Sequence, residues 1–537
     1  MQEIVLSLLL FTPLLAAVTG LFIPLSSVSL FRYLALTASL IQVGLLILIL
    51  VNYQSAVGLQ FVEQQPWITL HLGSWGTLQA QYFLGVDGLS LPLVILSVVV
   101  MLVATISSWT ISKNVKAYFV LLLILNAAII GSFTALDFLL FYLFFEFMLL
   151  PMFFLIALWG GPRREYASIK FFLYTLVGSI FILIAMIGLY LSVHDPSSSG
   201  NLVHSFNMLY MTDPSNFISG TILDPHMPRQ LGWFTARQWG FLLLFFGFAI
   251  KLPMVPLHTW LPDAHVEAPT PVSVILAALL LKIGGYGLIR IAFPVFPDAA
   301  MHFGSFVGWM GVISILYGGL NAMASKDLKK LIAYSSISHM GFVLLGIASV
   351  TTEGAAGAIF QMFSHGIISA MLFLLAGVLY DRTNDRMIGN YSGLYRKMPV
   401  YTTVVLIAFF GSMGLPGFSG FIGEIMIFLG AFKSSSVTGP LHASLGIAAT
   451  FGLVIAAAYY LWTLQRMFFG PFHLKVSLLT PALEDINRRE YIMLIPLVVG
   501  TIAFGIYPQP IITIIDPFAR HFAEFVIKAG HTITLNP

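Results

Sequence analysis

The chain has 537 residues, of which 58% are hydrophobic and 9% charged, with 25 Lys and Arg against 22 Asp and Glu. Soluble globular proteins carry about 45–50% apolar and about 25% charged residues. The composition therefore excludes an ordinary soluble domain and a disordered chain, and a net charge of +3 points to no polyanionic partner such as nucleic acid. There is no cysteine, which excludes disulfides, thiolate chemistry and Cys-ligated iron–sulfur or zinc sites within this chain.

A helix needs about 20 apolar residues to cross a hydrocarbon core of about 30 Å. Runs of that kind lie near 4–23, 30–51, 84–109, 117–135, 138–158, 171–193, 240–262, 270–292, 303–323, 331–349, 356–380, 399–432, 445–468 and 491–507. They predict an all-α polytopic membrane protein of about fourteen transmembrane helices. The stretch before the first run holds Glu3 and no positive charge, unlike the start of a cleaved signal, so that run is read as span one. The run 399–432 would stretch about 51 Å as one helix. It holds Gly411, Gly414, Pro416, Gly417 and Gly420, which predicts a broken helix. The polar linker 194–239 is expected to hold a short helix or hairpin. After residue 508, Phe518, Phe522, Phe525 and Ile527 alternate with Arg520, Glu524 and Lys528, as in an interfacial amphipathic helix.

Lys and Arg sort by side. Seventeen fall in loops after odd-numbered spans and six elsewhere outside the spans. The positive-inside rule then makes the odd loops cytoplasmic and puts both termini on the non-cytoplasmic side. The two remaining lysines, Lys251 and Lys282, lie inside spans, as do Glu146 and Glu424. Ionisable groups at membrane depth cost a few kcal/mol or more and mark ion or proton paths. A buried Lys whose carboxylate partner can approach or retreat can hold or release a proton near neutral pH. His258, His339 and His365 are candidate relays. His258 follows Lys251 by seven residues, on the same face if the helix continues. A plainer reading makes Glu146 and Lys251 a structural ion pair and each histidine a packing residue. Asp87 and Asp137 sit at span starts and are read as helix caps. No metal-ligand cluster, phosphate loop or nucleotide fingerprint is present in the sequence.

Leu252-Pro253 breaks span seven and Leu415-Pro416 breaks span twelve. Each is the fourth span of a possible five-span unit, and units with an odd number of spans run in opposite directions. Paired broken helices in inverted repeats point to a transport site. The division expected is 1–116 (spans one to three), 117–292 and 293–468 (the two inverted five-helix repeats), and 469–537 (span fourteen and the amphipathic tail).

The stretch from Lys251-Leu252-Pro253-Met254-Val255-Pro256-Leu257-His258 through Trp260-Leu261-Pro262-Asp263-Ala264-His265 to Pro271-Val272-Ser273 resembles a signature of the antiporter-like membrane subunits of complex I, NADH:quinone oxidoreductase. So do Leu328-Lys329-Lys330-Leu331 through Ser338-His339-Met340-Gly341 and Gly414-Leu415-Pro416-Gly417-Phe418-Ser419-Gly420. These subunits share ancestry with multisubunit Na+/H+ antiporters, and the resemblance covers nearly the whole chain. Sibling subunits generally place Lys in span twelve, whereas the M (chain 4) branch places Glu, as here at Glu424. The resemblance implies proton translocation driven by quinone reduction elsewhere in the complex. It aligns Glu146 with the family's span-five glutamate, Lys251 with its span-seven lysine, Lys282 with the central span-eight lysine and Glu424 with the output-side carboxylate. His258, His339 and His365 match polar-axis positions. Expected partners are the other complex I membrane subunits, sibling antiporter-like subunits included, with membrane lipids, water and protons. No cofactor is expected in this chain, since FMN, Fe–S clusters and quinone belong to other subunits. The bacterial plasma membrane is the expected location, with the thylakoid as the alternative. Three other readings stay open at this stage: a subunit of a Na+/H+ antiporter uncoupled from redox chemistry, a structural spacer whose buried charges serve assembly, and a subunit of a related membrane hydrogenase.

Overall fold

Helices that are apolar on every face are buried or face lipid all round, and the long runs of the sequence form such helices. The computed structural model describes residues 4–55, 58–71, 77–197, 203–475 and 483–535. The first crossings are α1 (Val5–Phe22), α2 (Val28–Asn52), α3 (Ser90–Ser107) and α4 (Val115–Thr134). Between α2 and α3 the strands β1 (Gln60–His71) and β2 (Thr77–Val86) pair as an antiparallel hairpin. The apolar run 84–109 therefore divides, its first residues closing a strand and only Ser90 onward forming helix. Asp87 accepts from the amides of Leu89 and Ser90 at 3.1 Å and so caps α3.

Span five is α5 (Phe138–Phe147) and α6 (Leu149–Trp159), meeting at Met148 three residues before Pro151. Asp137 caps α5 through the Leu140 amide and also accepts from Gln81 in β2, each at 3.0 Å. Then come α7 (Arg164–Ser192), the short α8 (Met208–Thr212) and a small hairpin, β3 (Gln230–Leu231) with β4 (Phe234–Thr235). The linker thus holds both a short helix and a hairpin. Span seven is α9 (Ala236–Lys251) and α10 (Trp260–Glu267), separated by a non-helical stretch.

Span eight is α11 (Thr270–Ile275), α12 (Leu281–Gly287) and α13 (Phe293–Val295), joined by two π-helical turns. The next crossings are α14 (Pro297–Ala324), α15 (Leu328–Ala348) and α16 (Thr352–Thr383). Span twelve is α17 (Pro399–Ser412) and α18 (Ser419–Lys433), followed by α19 (Ala443–Met467), α20 (Arg488–Ile506) and α21 (Gln509–Leu535). A third two-stranded pairing joins β5 (Tyr391–Ser392) to β6 (His473–Leu474). The bundle is the helical membrane fold expected, with two hairpins and one short long-range strand pairing among the described residues.

Among the described residues thirteen helical segments are long and apolar enough to cross a membrane. The broken pair α9–α10 makes a fourteenth crossing. At its start Arg237 pairs with Asp298 at 2.6 Å, and at its finish the Glu267 carbonyl accepts from the Gly161 amide at 2.8 Å, at the opposite end of the bundle. That second end collects the Lys- and Arg-rich loops and is called the basic end below. Its ties include Arg386 with Asp327 and with the Val266 carbonyl, and Arg382 with Glu490. At the far end Arg290 pairs with Asp87 at 2.6 Å. The helix α21 lies across that far end against α3, α13, α14 and α16. It buries Ile511, Ile515, Ala519, Phe522 and Val526 and exposes Arg520, Glu524 and Lys528, an amphipathic face pattern as expected.

Candidate functional site

The two breaks place the chemistry. α9 stops at Lys251 because Pro253 and Pro256 cannot donate to a helical ladder. The groups the break frees find partners inside the protein, as membrane depth demands. The Trp260 indole donates to the Ile250 carbonyl at 2.9 Å, and the Val255 amide donates to Ser314 Oγ at 3.1 Å. The second break turns on Gly414 and Gly417, both with positive φ, a conformation that disfavours any side chain. A Cβ at Gly414 would collide with the Glu424 carboxylate. The same turn thus breaks the helix and makes room for the acid.

Lys251 is buried. Its ammonium donates to the Phe145 carbonyl at 3.0 Å and lies 3.3 Å from the centre of the Phe145 ring. Glu146 is half-buried beside the exposed Phe147 and within electrostatic reach of Lys251. The two do not close into an ion pair, so the plainer reading of a structural pair is not what the geometry holds.

Lys282 is fully buried between the two π turns of span eight. Its Nζ donates to the Ala277 carbonyl at 2.6 Å and sits 2.7 Å from His365 Nδ1 on α16. π turns recur at functional sites because they misalign backbone groups that a side chain can then engage. Two basic nitrogens at that distance share one hydrogen, carried by either the lysine or the histidine. The His365 and His339 rings stand 5.3 Å apart. His339 Nδ1 is 3.3 Å from Glu424 Oε1, although its angle is outside hydrogen-bond geometry. His339 Nε2 contacts Ser412 Oγ at 3.1 Å, Ser412 contacts the Tyr460 hydroxyl at 2.6 Å, and Tyr460 donates to Ser335 Oγ at 3.1 Å.

Of the seven residues singled out in the sequence, the fold brings Lys282, His365, His339 and Glu424 into one buried run. Lys251 and Glu146 form a separate group. His258 joins neither, because the helix ends at Lys251 and the seven-residue spacing no longer sets a common face. It packs against the rings of Tyr317 and Tyr334, near Lys170, which pairs with Asp263. The sequence reading missed His265, Lys329 and the Ser412–Tyr460–Ser335 branch. His265 is fully buried in α10, stacked 4.4 Å from Phe373, with neither ring nitrogen hydrogen-bonded. Lys329 is 3% exposed and donates to the Ala268 carbonyl at 3.0 Å. A span seven that ends at residue 262 leaves His265 outside the membrane, and the hydropathy pattern makes Lys329 a loop charge. The available signal was position, since both lie in the segments that carry the family resemblance.

A broken-helix bundle with a buried lysine–histidine–glutamate run defines a class, the antiporter-like transmembrane subunits. The family model described as NADH:quinone oxidoreductase/Mrp antiporter, transmembrane, matches residues 135–450. A protein of Rhodobacter capsulatus named NADH-quinone oxidoreductase subunit M is 41% identical over 498 residues, 92% of this chain and 90% of its own. A chain of respiratory complex I from Thermus thermophilus, solved with bound NADH, superposes with a TM-score of 0.81 at 29% identity, covering 98% of this chain and all of that one. A chain of the Mrp complex of Dietzia, at 19% identity and a TM-score of 0.77 over 98% of this chain and 99% of that one, shares the fold. This chain belongs to the NADH:quinone oxidoreductase/Mrp antiporter transmembrane family, and its 41% identity to a subunit M places it with the complex I membrane-arm members.

Proposed function

We propose that this chain carries protons across the membrane as the M-type antiporter-like subunit of NADH:quinone oxidoreductase, driven by quinone reduction in other subunits. The observation that carries the reading is the buried run Lys282–His365–His339–Glu424, whose neighbouring members stand within 2.7, 5.3 and 3.3 Å of each other by nitrogen contact, ring centre and nitrogen–oxygen contact respectively. Titratable groups so aligned in an apolar bundle can hand on protons, and the energetic cost of burying them argues for use. A proton leaves Lys282 for His365, moves by ring reorientation or bridging water to His339, and reaches Glu424 in the second break. Glu146 sets the proton affinity of Lys251 from the side, and water bridges Lys251 to Lys282.

The two five-helix units, 117–292 and 293–468, act as half-paths meeting at Lys282. FMN, Fe–S clusters and quinone sit in other subunits, and this chain's own work is binding and moving protons. Its partners are the neighbouring membrane subunits of the complex, with lipid around it, in the bacterial plasma membrane or the thylakoid, both termini on the non-cytoplasmic side. The experiment is proton translocation in sealed vesicles holding the assembled complex with Glu424→Gln. Translocation per electron pair falls at least twofold while the complex still assembles. Unchanged translocation overturns the reading and leaves a spacer role, and a dependence on a Na+ gradient without quinone turnover favours a redox-independent antiporter.

A further inference from the structure

The small hairpin ahead of span seven is a braced arm with an uncovered tip. Leu231 pairs with Phe234 across the two-residue loop Gly232-Trp233. Gly232 takes a left-handed backbone, φ 68°, as tight hairpin loops favour, and the loop turns Trp233 away from the protein, 93% exposed. The base of the arm is firmly seated. The Ala236 amide donates to the Arg229 carbonyl at 2.8 Å, and the Trp239 indole donates to the Leu231 carbonyl at 3.0 Å. Phe234 packs edge-on against Trp239 and Phe303, with ring centres 5.4 and 5.3 Å apart. Thr235 Oγ1 accepts from the Gln238 amide while the Gln238 side chain accepts from the Thr235 amide, so the arm runs directly into the capping box that opens α9. A turn held this rigidly leaves a large apolar ring without cover from its own chain.

The surroundings say what covers it. On α14, Phe303 touches the arm, and Phe306, Trp309 and Ile313 point outward beyond it, three and four residues apart and so on one face. That face belongs to a membrane crossing. Met227 and Leu231 are exposed as well, so the arm carries the apolar strip of α14 past the start of the helices, where the chain leaves the hydrocarbon. The charge agrees. Residues 225–235 hold no acidic side chain. Arg229 is exposed, donates to the Gly220 carbonyl at 2.6 Å and has no carboxylate partner among the described residues, whereas Arg237 close by is held by Asp298. An apolar strip that ends in an indole and an uncommitted guanidinium is complementary to phospholipid, whose phosphates lie at the depth where Trp rings collect.

We propose that the β3–β4 hairpin is a membrane-interface anchor, with Trp233 seated among the phospholipid headgroups at the far end of the bundle and Arg229 on their phosphates. It holds the first half of broken span seven, the half that ends on Lys251, at a fixed depth. The anchor does not depend on the proton path. Its test uses the assembled complex in vesicles of phosphatidylcholine and phosphatidylglycerol. Trp233→Cys is labelled with a nitroxide methanethiosulfonate. The chain has no cysteine of its own, and wild-type complex treated in parallel supplies the background from other subunits. Power-saturation EPR compares collisions with oxygen, which concentrates in lipid, and with a water-soluble nickel chelate. The oxygen-to-nickel ratio is expected to exceed that of a water-exposed label by about twofold or more, and to fall when Arg229→Gln is added. A water-like ratio overturns the anchor. Protection from both reagents also overturns it, since a neighbouring subunit then covers the arm. A ratio unchanged by Arg229→Gln overturns the phosphate contact. If the Trp233→Cys complex fails to assemble, Leu231→Cys, 45% exposed beside the same loop, gives the same reading.

Discussion

The two broken spans differ in what the break does for the charge beside it. In span seven the helix ends on Lys251, whose ammonium rests on one backbone carbonyl and the face of Phe145, with Glu146 nearby and unpaired. In span twelve the helix restarts before Glu424, and the acid is met by His339, which is itself next to His365 and so to Lys282. The second half is a run of closely neighbouring titratable groups, and the first is a lysine with one carboxylate at a distance. An isolated buried ammonium is costly, and the cost is relieved either by a carboxylate's approach or by loss of the proton, which suits a group whose affinity is switched. A closely spaced series suits conduction. Similar helix breaks therefore serve two electrical purposes, decided by what the neighbouring helices present.

That contrast can be broken at its shared point first. Lys282→Met removes the group on which the run depends, so translocation in vesicles should be lost by tenfold or more. A variant that still pumps would show that the run is not the conductor. Next, Glu146→Gln should be milder than Lys251→Met, because Glu146 acts on the lysine from a distance. Translocation assays in parallel should rank them in that order, and equal loss would mean that the two are a closed pair in the working protein. Gly414→Ala should then cost about 1–2 kcal/mol through its left-handed backbone and also push on Glu424, so stability and translocation fall together. Loss of stability alone would detach the turn from the acid. Smallest is a pH effect at the far end. Burial pushes the Asp137 carboxyl up to about 6, against the backbone amides of Gln81 and Leu140 that favour its charge. Because this folded-state value lies above the unfolded one, the burial cost is fully present above pH 6 and is relieved as pH falls toward 4. Between pH 7.5 and 5 the wild type should gain about 1 kcal/mol relative to Asp137→Asn in thermal denaturation. Identical pH profiles would place Asp137 in a wetter setting.

Much of the architecture was legible because a bilayer constrains sequence so strongly. Every backbone polar group at depth must be satisfied within the helix, so spans are long apolar runs, and breaks show as Pro and Gly where no helix can close. The caps at Asp87 and Asp137 were readable for the same local reason. The hairpin of β1 and β2 was not, since Leu84 and Gly85 extend the apolar run of α3 and hydropathy does not distinguish strand from helix over a few residues. His258 was misplaced because its spacing presumed a helix that Pro253 ends.

Long-range partners were beyond reach. Ile4, at the start of α1, offers no capping side chain, and Glu63 of β1 does the work instead, accepting from the amides of Leu6 at 2.7 Å and Ser7 at 3.1 Å. No residue within α1 announces that. Composition and spacing by themselves determined that the chain crosses a membrane about fourteen times, where spans seven and twelve break and which charges lie within the spans, because these follow from local hydration costs and hydrogen-bond closure along one helix. Tertiary structure alone decided that Lys282, His365, His339 and Glu424 stand close in series while Lys251 stands apart, because that series joins spans eight, eleven, ten and twelve and depends on how helices pack side by side.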